Sequence, residues 1–326
     1  MANEVKLEAY YFQIKDQVSV QKKKKKDSSI YHMGDVEGKD FLDIFKTFLA
    51  NHTKSHDRDS TLKKSFSVLS PSTKKDVNYK KRYISGVIES GEYGVSSKIK
   101  NITGITVHPK NSSESIDMPF YFLLHAPMGK KKTIFLIQRT GVHGAYKVFE
   151  RKLKKFVIDR HKGIQLESKT LLSSEVAKKI LGGGIAKKVV LTRHVKKGDV
   201  FDSLGDGYSD DKLTDDGAEM QLVLTSRGKG MLNLKSNLDK FLNGEGISSF
   251  GIKDLGFTGT DFSASVKILH NGRYRTLDLS DTLKIKPYYD LEAEKVKKDK
   301  DNHPIFKSIN EISLEILDDI IEEENY

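Results

Sequence analysis

Hydrophobic positions recur along the chain at two spacings, and the switch between them outlines its elements. A strand is predicted over Lys6 to Ile14, where Tyr10, Tyr11, Phe12 and Ile14 are β-prone. Phe41, Ile44, Phe45, Phe48 and Leu49 follow at helical spacing, and Asp40 or Asp43 favours the start of that helix. From Asn51 to Lys81 the chain is polar and reads as loop around a short strand, Phe66 to Leu69. Further strands are predicted at Tyr83 to Tyr93, Ile102 to Val107, Met118 to Ala126 and Thr133 to Gln138. The Pro127-Met128-Gly129-Lys130 turn makes the last two an antiparallel hairpin with a basic tip, Lys130, Lys131 and Lys132. A helix from about His143 to Ile158 then places Tyr146, Phe149, Leu153 and Phe156 on one face. Lys147, Arg151, Lys154 and Lys155 fall on the other.

The second half begins near Gly163. A strand is predicted at Ile164 to Leu172, then a short helix capped by Ser173 or Ser174 that stops at Gly182-Gly183-Gly184. Strands at Lys188 to Thr192 and Met220 to Thr225 precede a helix at Leu232 to Leu242. Val266 to Leu279 reads as a hairpin about Asn271-Gly272, a strong two-residue turn signal. Leu283 to Lys286 adds a short strand that Pro287 ends or confines to a sheet edge. The last helix starts near Ile309, with Ser308 and Glu311 in a capping-box pattern and Ile309, Ile312, Ile316 and Ile320 as its apolar stripe. Residues 311 to 326 carry seven acidic side chains and no basic one. Together these elements predict an α+β protein of mostly antiparallel sheets with flanking helices. The expected division is an N-terminal domain over residues 1–162, with a basic surface, and a C-terminal domain over 163–326, ending in the acidic helix.

Composition narrows the chemistry. With 326 residues, two domains are the default expectation. Cysteine is absent, which removes disulfides, thiolate zinc sites and cysteine nucleophiles. The first residues lack the apolar run of a signal peptide, and the apolar stretches are strand-sized, so a cytoplasmic protein with no membrane span is expected. The net charge of +11, most of it lysine, favours a polyanion such as DNA or RNA. A lysine-rich solvated surface accounts for the same number. Five consecutive lysines, Lys22 to Lys26, read as a self-repelling loop.

Three apolar strands run into an arginine: Arg139, Arg193 and Arg227. The guanidinium fork suits phosphate, and the backbone N–H groups near His143 and Gly144, ahead of a helix, would help to hold an anion. These arginines, His143, Lys130 to Lys132 and the Lys147, Arg151, Lys154 and Lys155 face are the candidate nucleic-acid or anion contacts. Asp159 with Glu167-Ser168-Lys169 gives a carboxylate-plus-lysine set of the kind that metal-dependent nucleases use. The acidic loop of Asp206, Asp210, Asp211, Asp215 and Asp216 lacks the ligand register of a calcium loop. No His-Glu-x-x-His, phosphate-loop or Gly-x-Ser-x-Gly pattern occurs, and no cofactor or metal is indicated.

Two stretches carry a resemblance. Met118 to Phe156 runs from the hairpin through Gln138-Arg139-Thr140-Gly141 to the helix, and Leu283 to Ile321 contains Ile312-Ser313-Leu314-Glu315-Ile316-Leu317. Together, over about a quarter of the chain, they resemble uncharacterised bacterial families encoded near phage-defence genes. The resemblance implies a bacterial or phage setting and a defence role, and it carries no catalytic residue over. The expected function is nucleic-acid binding by backbone contacts, as a sensor or adaptor. A metal-dependent nuclease and a protein-interaction subunit, with the acidic helix as a partner surface, are the alternatives.

Overall fold

The computed structural model of the chain describes residues 4–16, 30–53, 55–69, 75–171, 180, 183–195, 218–227, 230, 232–252, 257, 262–270, 272–279, 286–291 and 295–323. Lys22 to Lys26, the Asp206 to Asp216 loop and most of the helix expected after Ser173 lie outside them. The described strands in chain order are β1 (Val5–Asp16), β2 (Asp57–Asp59), β3 (Lys64–Val68), β4 (Lys75–Asn78), β5 (Tyr83–Glu92), β6 (Ser97–Lys100), β7 (Thr106–Lys110) and β8 (Ile116–His125). They continue with β9 (Ile134–Thr140), β10 (His143–Gly144), β11 (Ile164–Thr170), β12 (Ile185–Val195), β13 (Ala218–Thr225), β14 (Phe262–His270), β15 (Arg273–Asp278) and β16 (Lys286–Asp290). The helices are α1 (Phe41–Asn51), α2 (Tyr146–Arg160), α3 (Lys235–Lys240) and α4 (Phe306–Glu323). The class is α+β, with antiparallel pairing throughout the registered strands.

Two compact units make up the chain. One comprises Met1–Lys169 with Leu291–Tyr326, and the other Thr170–Asp290. The last helix therefore belongs with the N-terminal segment. In the first unit the sheet order is β1-β9-β8-β5-β3-β2, with β11 beside β1 and β10 on β9. One edge of β5 is shared, Tyr83 to Gly86 pairing with β4 and Ile88 to Glu92 with β3. Alternation turns Tyr10, Phe12, Phe122, Phe135 and Ile137 to one face, where they form a single core with Phe45 and Phe48 of α1 and Phe149 of α2. Helix α1 begins where Asp40 accepts from the Leu42 N–H at 2.8 Å. The same carboxylate takes a second bond from Arg82 Nη2 at 2.8 Å.

The opposite face receives α4. Ile309, Ile312, Ile316, Leu317 and Ile320 are buried, and the Phe306 ring lies 5.9 Å from that of Tyr121. Asn310 sits among polar strand residues: its Oδ1 accepts from Ser85 Oγ at 2.7 Å and from the Tyr121 hydroxyl at 2.8 Å. Asp76 accepts from the Tyr83 hydroxyl at 2.7 Å, and burial together with that carboxylate pushes the Tyr83 pKa up to about 12. Ser308 does not cap α4. Its hydroxyl accepts from the Lys297 N–H and donates to the Lys295 carbonyl, tying the preceding segment to the helix.

The second unit has the order β13-β12-β14-β15-β16. Phe241, Phe250, Phe257, Val266 and Leu277 belong to its core. The β14–β15 hairpin turns at Gly272, whose φ of +74° is the left-handed conformation that its two-residue turn requires. Helix α3 continues through π-type and 3₁₀ turns to Phe250, and Pro287 lies within β16 opposite Leu277. Arg275 is fully buried and lies 4.9 Å from the Tyr289 ring centroid. Among the described residues no helix is long and apolar enough to cross a membrane.

Three histidines of the first unit, His52, His125 and His161, have pKa values pushed down, in each case chiefly by burial. Their folded values lie below the unfolded one of about 6.5, so the unfolded chain takes up protons first as pH falls. Their contribution is fully present above that value and is lost as pH falls through it. Asp40 and Asp117 act in a lower window: hydrogen bonds, from Arg82 and Leu42 and from Ser65, Ser115 and His56, outweigh burial and hold them below 3.8. Urea unfolding of the first unit is expected to show lower stability at pH 5 than at pH 7.5, and His125→Gln should narrow that gap. An unchanged gap would remove His125 from the account.

Candidate nucleic-acid interface

The rotational setting of α2 decides what this part of the molecule shows to solvent. Val148, Phe149, Leu153, Phe156 and Val157 are buried, which leaves Lys147, Arg151 and Lys155 exposed at i, i+4 and i+8 on the outer face. At about 1.5 Å rise per residue, successive cations of this stripe stand roughly 6 Å apart along the axis. The helix starts at Tyr146, whose ring stacks on that of Tyr10 with centroids 3.4 Å apart and planes within 2°. Lys154 is half-buried, its ammonium 2.6 Å from Glu150, which also accepts from the Ser168 hydroxyl.

Beside this stripe lies a hollow of about 410 Å³. Arg58, Arg151, Lys152 and Lys155 supply four cations to its lining, against the carboxylates of Asp59 and Asp159. Asp59 is 7% exposed and is already engaged by Arg151 Nε at 2.8 Å. Lys152 donates to the Arg58 carbonyl at 3.3 Å, and Arg58 Nη2 donates to the Ser113 carbonyl at 2.8 Å. Lys147 and Lys155 have no carboxylate paired with them among the described residues. They are the cations that this face offers most openly.

The strand-end arginines do not converge. Arg139 Nη1 lies 3.1 Å from Glu8 Oε1, and its Nε donates to the Gly141 carbonyl at 3.0 Å. Glu8 is buried, and its other oxygen accepts from the Tyr10 hydroxyl. The guanidinium expected to hold an external anion thus holds an internal carboxylate. His143 and Gly144 are not the first residues of α2. They form β10, opposite Thr140 and Arg139, so their backbone belongs to the sheet. Arg193 lies opposite Met220 in the β12–β13 pair, whereas Arg227 follows Thr225, which lies opposite Lys188. The Met220 to Thr225 stretch alone spans about 17 Å at roughly 3.4 Å per residue, so these two arginines stand toward opposite ends of their hairpin. Arg193 lies 5.7 Å from the Phe257 ring, and Arg227 is exposed. Lys130 and Lys132 are exposed on the β8–β9 turn, Lys131 is half-buried, and Lys132 lies 4.8 Å from the Tyr11 ring.

The nuclease set is likewise not assembled. Ile164 and Leu166 of β11 pack in the core that α2 closes, so alternation turns Glu167 and Lys169 away from the side on which Asp159 sits. Glu167 pairs with Lys15 at 2.5 Å. Among the described residues no group of three His, Asp or Glu side chains is placed to hold a metal ion. Sequence reasoning missed Arg58 and Lys152 as members of the hollow. The signal available for them was weak, because Arg58 comes from a short polar strand and Lys152 sits between the two faces of the helix. No protein-family model and no curated protein matches the chain.

Because Glu8 is 8% exposed, removing its guanidinium leaves a nearly buried charge that, among the described residues, keeps the Tyr10 hydroxyl as its donor. Arg139→Ala should destabilise the protein by about 2 kcal/mol, a figure reduced because Arg139 itself is partly solvated. Adding Glu8→Gln should recover much of that loss in a double-mutant cycle followed by urea unfolding. Strictly additive losses would show that the pair is not coupled.

Proposed function

We propose that the protein binds nucleic acid through phosphate contacts on the outer face of α2, as a non-enzymatic sensor or adaptor in cytoplasmic anti-phage defence. The observation that carries this reading is the segregation of charge across the first unit's sheet. Helix α2 packs on the face of Phe135 and Ile137 and turns Lys147, Arg151 and Lys155 outward. Helix α4 packs on the face of Tyr121 and Ser85, and its Glu311, Glu315, Asp318 and Glu322 are exposed. The sheet keeps the acidic residues of α4 away from this stripe, so a polyanion approaching the α2 side meets Lys147 and Lys155, which have no paired carboxylate among the described residues, beside an Arg151 that Asp59 already engages. Lys130 and Lys132, exposed on the β8–β9 turn, are further candidate phosphate contacts, and the acidic helix is left for a protein partner. The resemblance of Met118 to Phe156 together with Leu283 to Ile321 to bacterial families encoded near phage-defence genes suggests the biological setting.

Backbone recognition has a measurable signature. Each phosphate contact contributes about −0.9 to the slope of log K against log salt for duplex DNA. Labelled duplex DNA, single-stranded DNA and RNA should bind at low salt, with affinity falling steeply as salt rises. Lys147→Gln with Lys155→Gln should lower the magnitude of the slope by about 2, weaken binding alike for all sequences and leave the thermal midpoint unchanged. Absence of binding at low salt would overturn the reading. Cleavage products that appear only with Mg²⁺ would replace it with the nuclease.

A further inference from the structure

A second cavity, of about 460 Å³, opens at the base of the β6–β7 ribbon. Tyr93, Val95, Ile116, Met118 and Phe120 give it apolar walls. Val95 and Ile116 are 72% and 55% exposed, so the mouth leaves apolar surface in water. The polar groups in the lining are mostly donors. Ser90 is 4% exposed, and its hydroxyl has no hydrogen-bond partner among the described residues. A buried hydroxyl left in that state is a standing cost to the fold, since its hydration is lost and not replaced. Lys110 is 6% exposed and donates to the Val95 carbonyl at 3.0 Å. Lys64 donates to the Gly144 carbonyl at 3.0 Å. An ammonium carries three donors, so each lysine keeps donors beyond the carbonyl that it holds. The cavity's carboxylate, Glu92, has a 79% exposed side chain 3.9 Å from Lys64, and His143 stands exposed at the rim.

We propose that this cavity is a binding site for a small amphipathic anion, a molecule with an apolar body and a carboxylate or similar acceptor head. Its volume lies within the range of small-ligand pockets, roughly 300–1,000 Å³. The apolar body replaces water against Met118, Phe120 and the exposed rims of Val95 and Ile116. The head meets a lining of two ammonium groups, and the Ser90 hydroxyl gains the acceptor that the fold withholds from it. Charge selects the class: a cationic head would face Lys64 and Lys110 with a single, outward-turned carboxylate to offset them. The site is separate from the α2 stripe and does not depend on nucleic-acid binding.

Decanoate is a suitable probe, with decyltrimethylammonium as the cationic control of equal chain length. Calorimetric titration on the full chain should give saturable binding of decanoate and at least about tenfold weaker binding of the cation. In a methyl-methionine NMR spectrum the Met118 signal should shift with saturation, while that of Met33, fully buried elsewhere in the core, should not. Ser90→Ala removes the unpartnered hydroxyl and should leave the ligand-free thermal midpoint equal or higher. It should also weaken decanoate by about tenfold, the equivalent of one charge-assisted hydrogen bond. Ser90→Leu, which fills the cavity, should abolish binding; if that variant fails to fold, Ser90→Ala decides alone. A static Met118 signal, equal affinity for both head groups, or undiminished decanoate binding by Ser90→Ala would overturn the proposal.

Discussion

The first unit depends on one packed ring, Phe149. From its place in α2 it lies 4.7 Å from the ring of Phe135 on β9, 5.5 Å from Phe122 on β8, 5.6 Å from Phe48 and 6.0 Å from Phe45 on α1, and 5.9 Å from Phe66 on β3. Five aromatic partners from four elements thus meet on a single side chain. Aromatic pairs at such separations add directional preference to area burial, and truncating a buried Phe typically costs about 3–5 kcal/mol. The geometric consequence outweighs the energetic one. A ring wedged between two strands, a further strand and a second helix permits α2 one rotation about its axis. Once Phe149 and Leu153 point inward, the spacing of the helix sends Lys147, Arg151 and Lys155 outward.

The same sheet that fixes α2 also separates the charges of the unit. Side chains of β5 and β8 alternate between the phenylalanine core and the polar cluster around Asn310. Cationic and acidic helices are therefore held apart by a layer of fully buried side chains, Leu123 and Leu136 among them. Among the ion pairs of this unit, three engage arginine: Arg139 on Glu8, Arg82 on Asp40, Arg151 on Asp59. Two of these carboxylates, Glu8 and Asp59, are buried, and a buried charge requires a partner. Arginine supplies it by its several donors, which leaves lysine as the cation with most freedom at the surface.

Whether a feature was legible in the sequence follows from its range. Helix α1, helix α2, the β8–β9 and β14–β15 hairpins and the apolar stripe of α4 rest on local periods of 3.6 or 2 residues or on a turn dipeptide, and each is found. β2 and β4 have no apolar alternation to announce them; Asp57–Asp59 and Lys75–Asn78 are strands because β3 and β5 offer them backbone partners. The expected strand at Ile102 to Val107 is instead a turn followed by β7. Asn101 Oδ1 accepts from the N–H groups of Thr103 and Ile105, folding the chain back at that point and leaving Ile102 in solvent.

The candidate sites divide along the same line. The basic stripe of α2 was visible because one helix builds it. The Arg139–Glu8 pair was not visible, because Glu8 is 131 residues away and arrives through the β1–β9 register. Residue types at a strand end carry no information about which internal charge the neighbouring strand delivers. The cavity is harder still: β3, β5, β7 and β8 contribute one to three side chains each, and its defining property, a buried hydroxyl without a hydrogen-bond partner among the described residues, is an absence that no pattern encodes. Local periodicity therefore reports what a surface offers to large partners such as a polyanion. Long-range register decides which of those charges are already used, and where the fold keeps a donor in reserve.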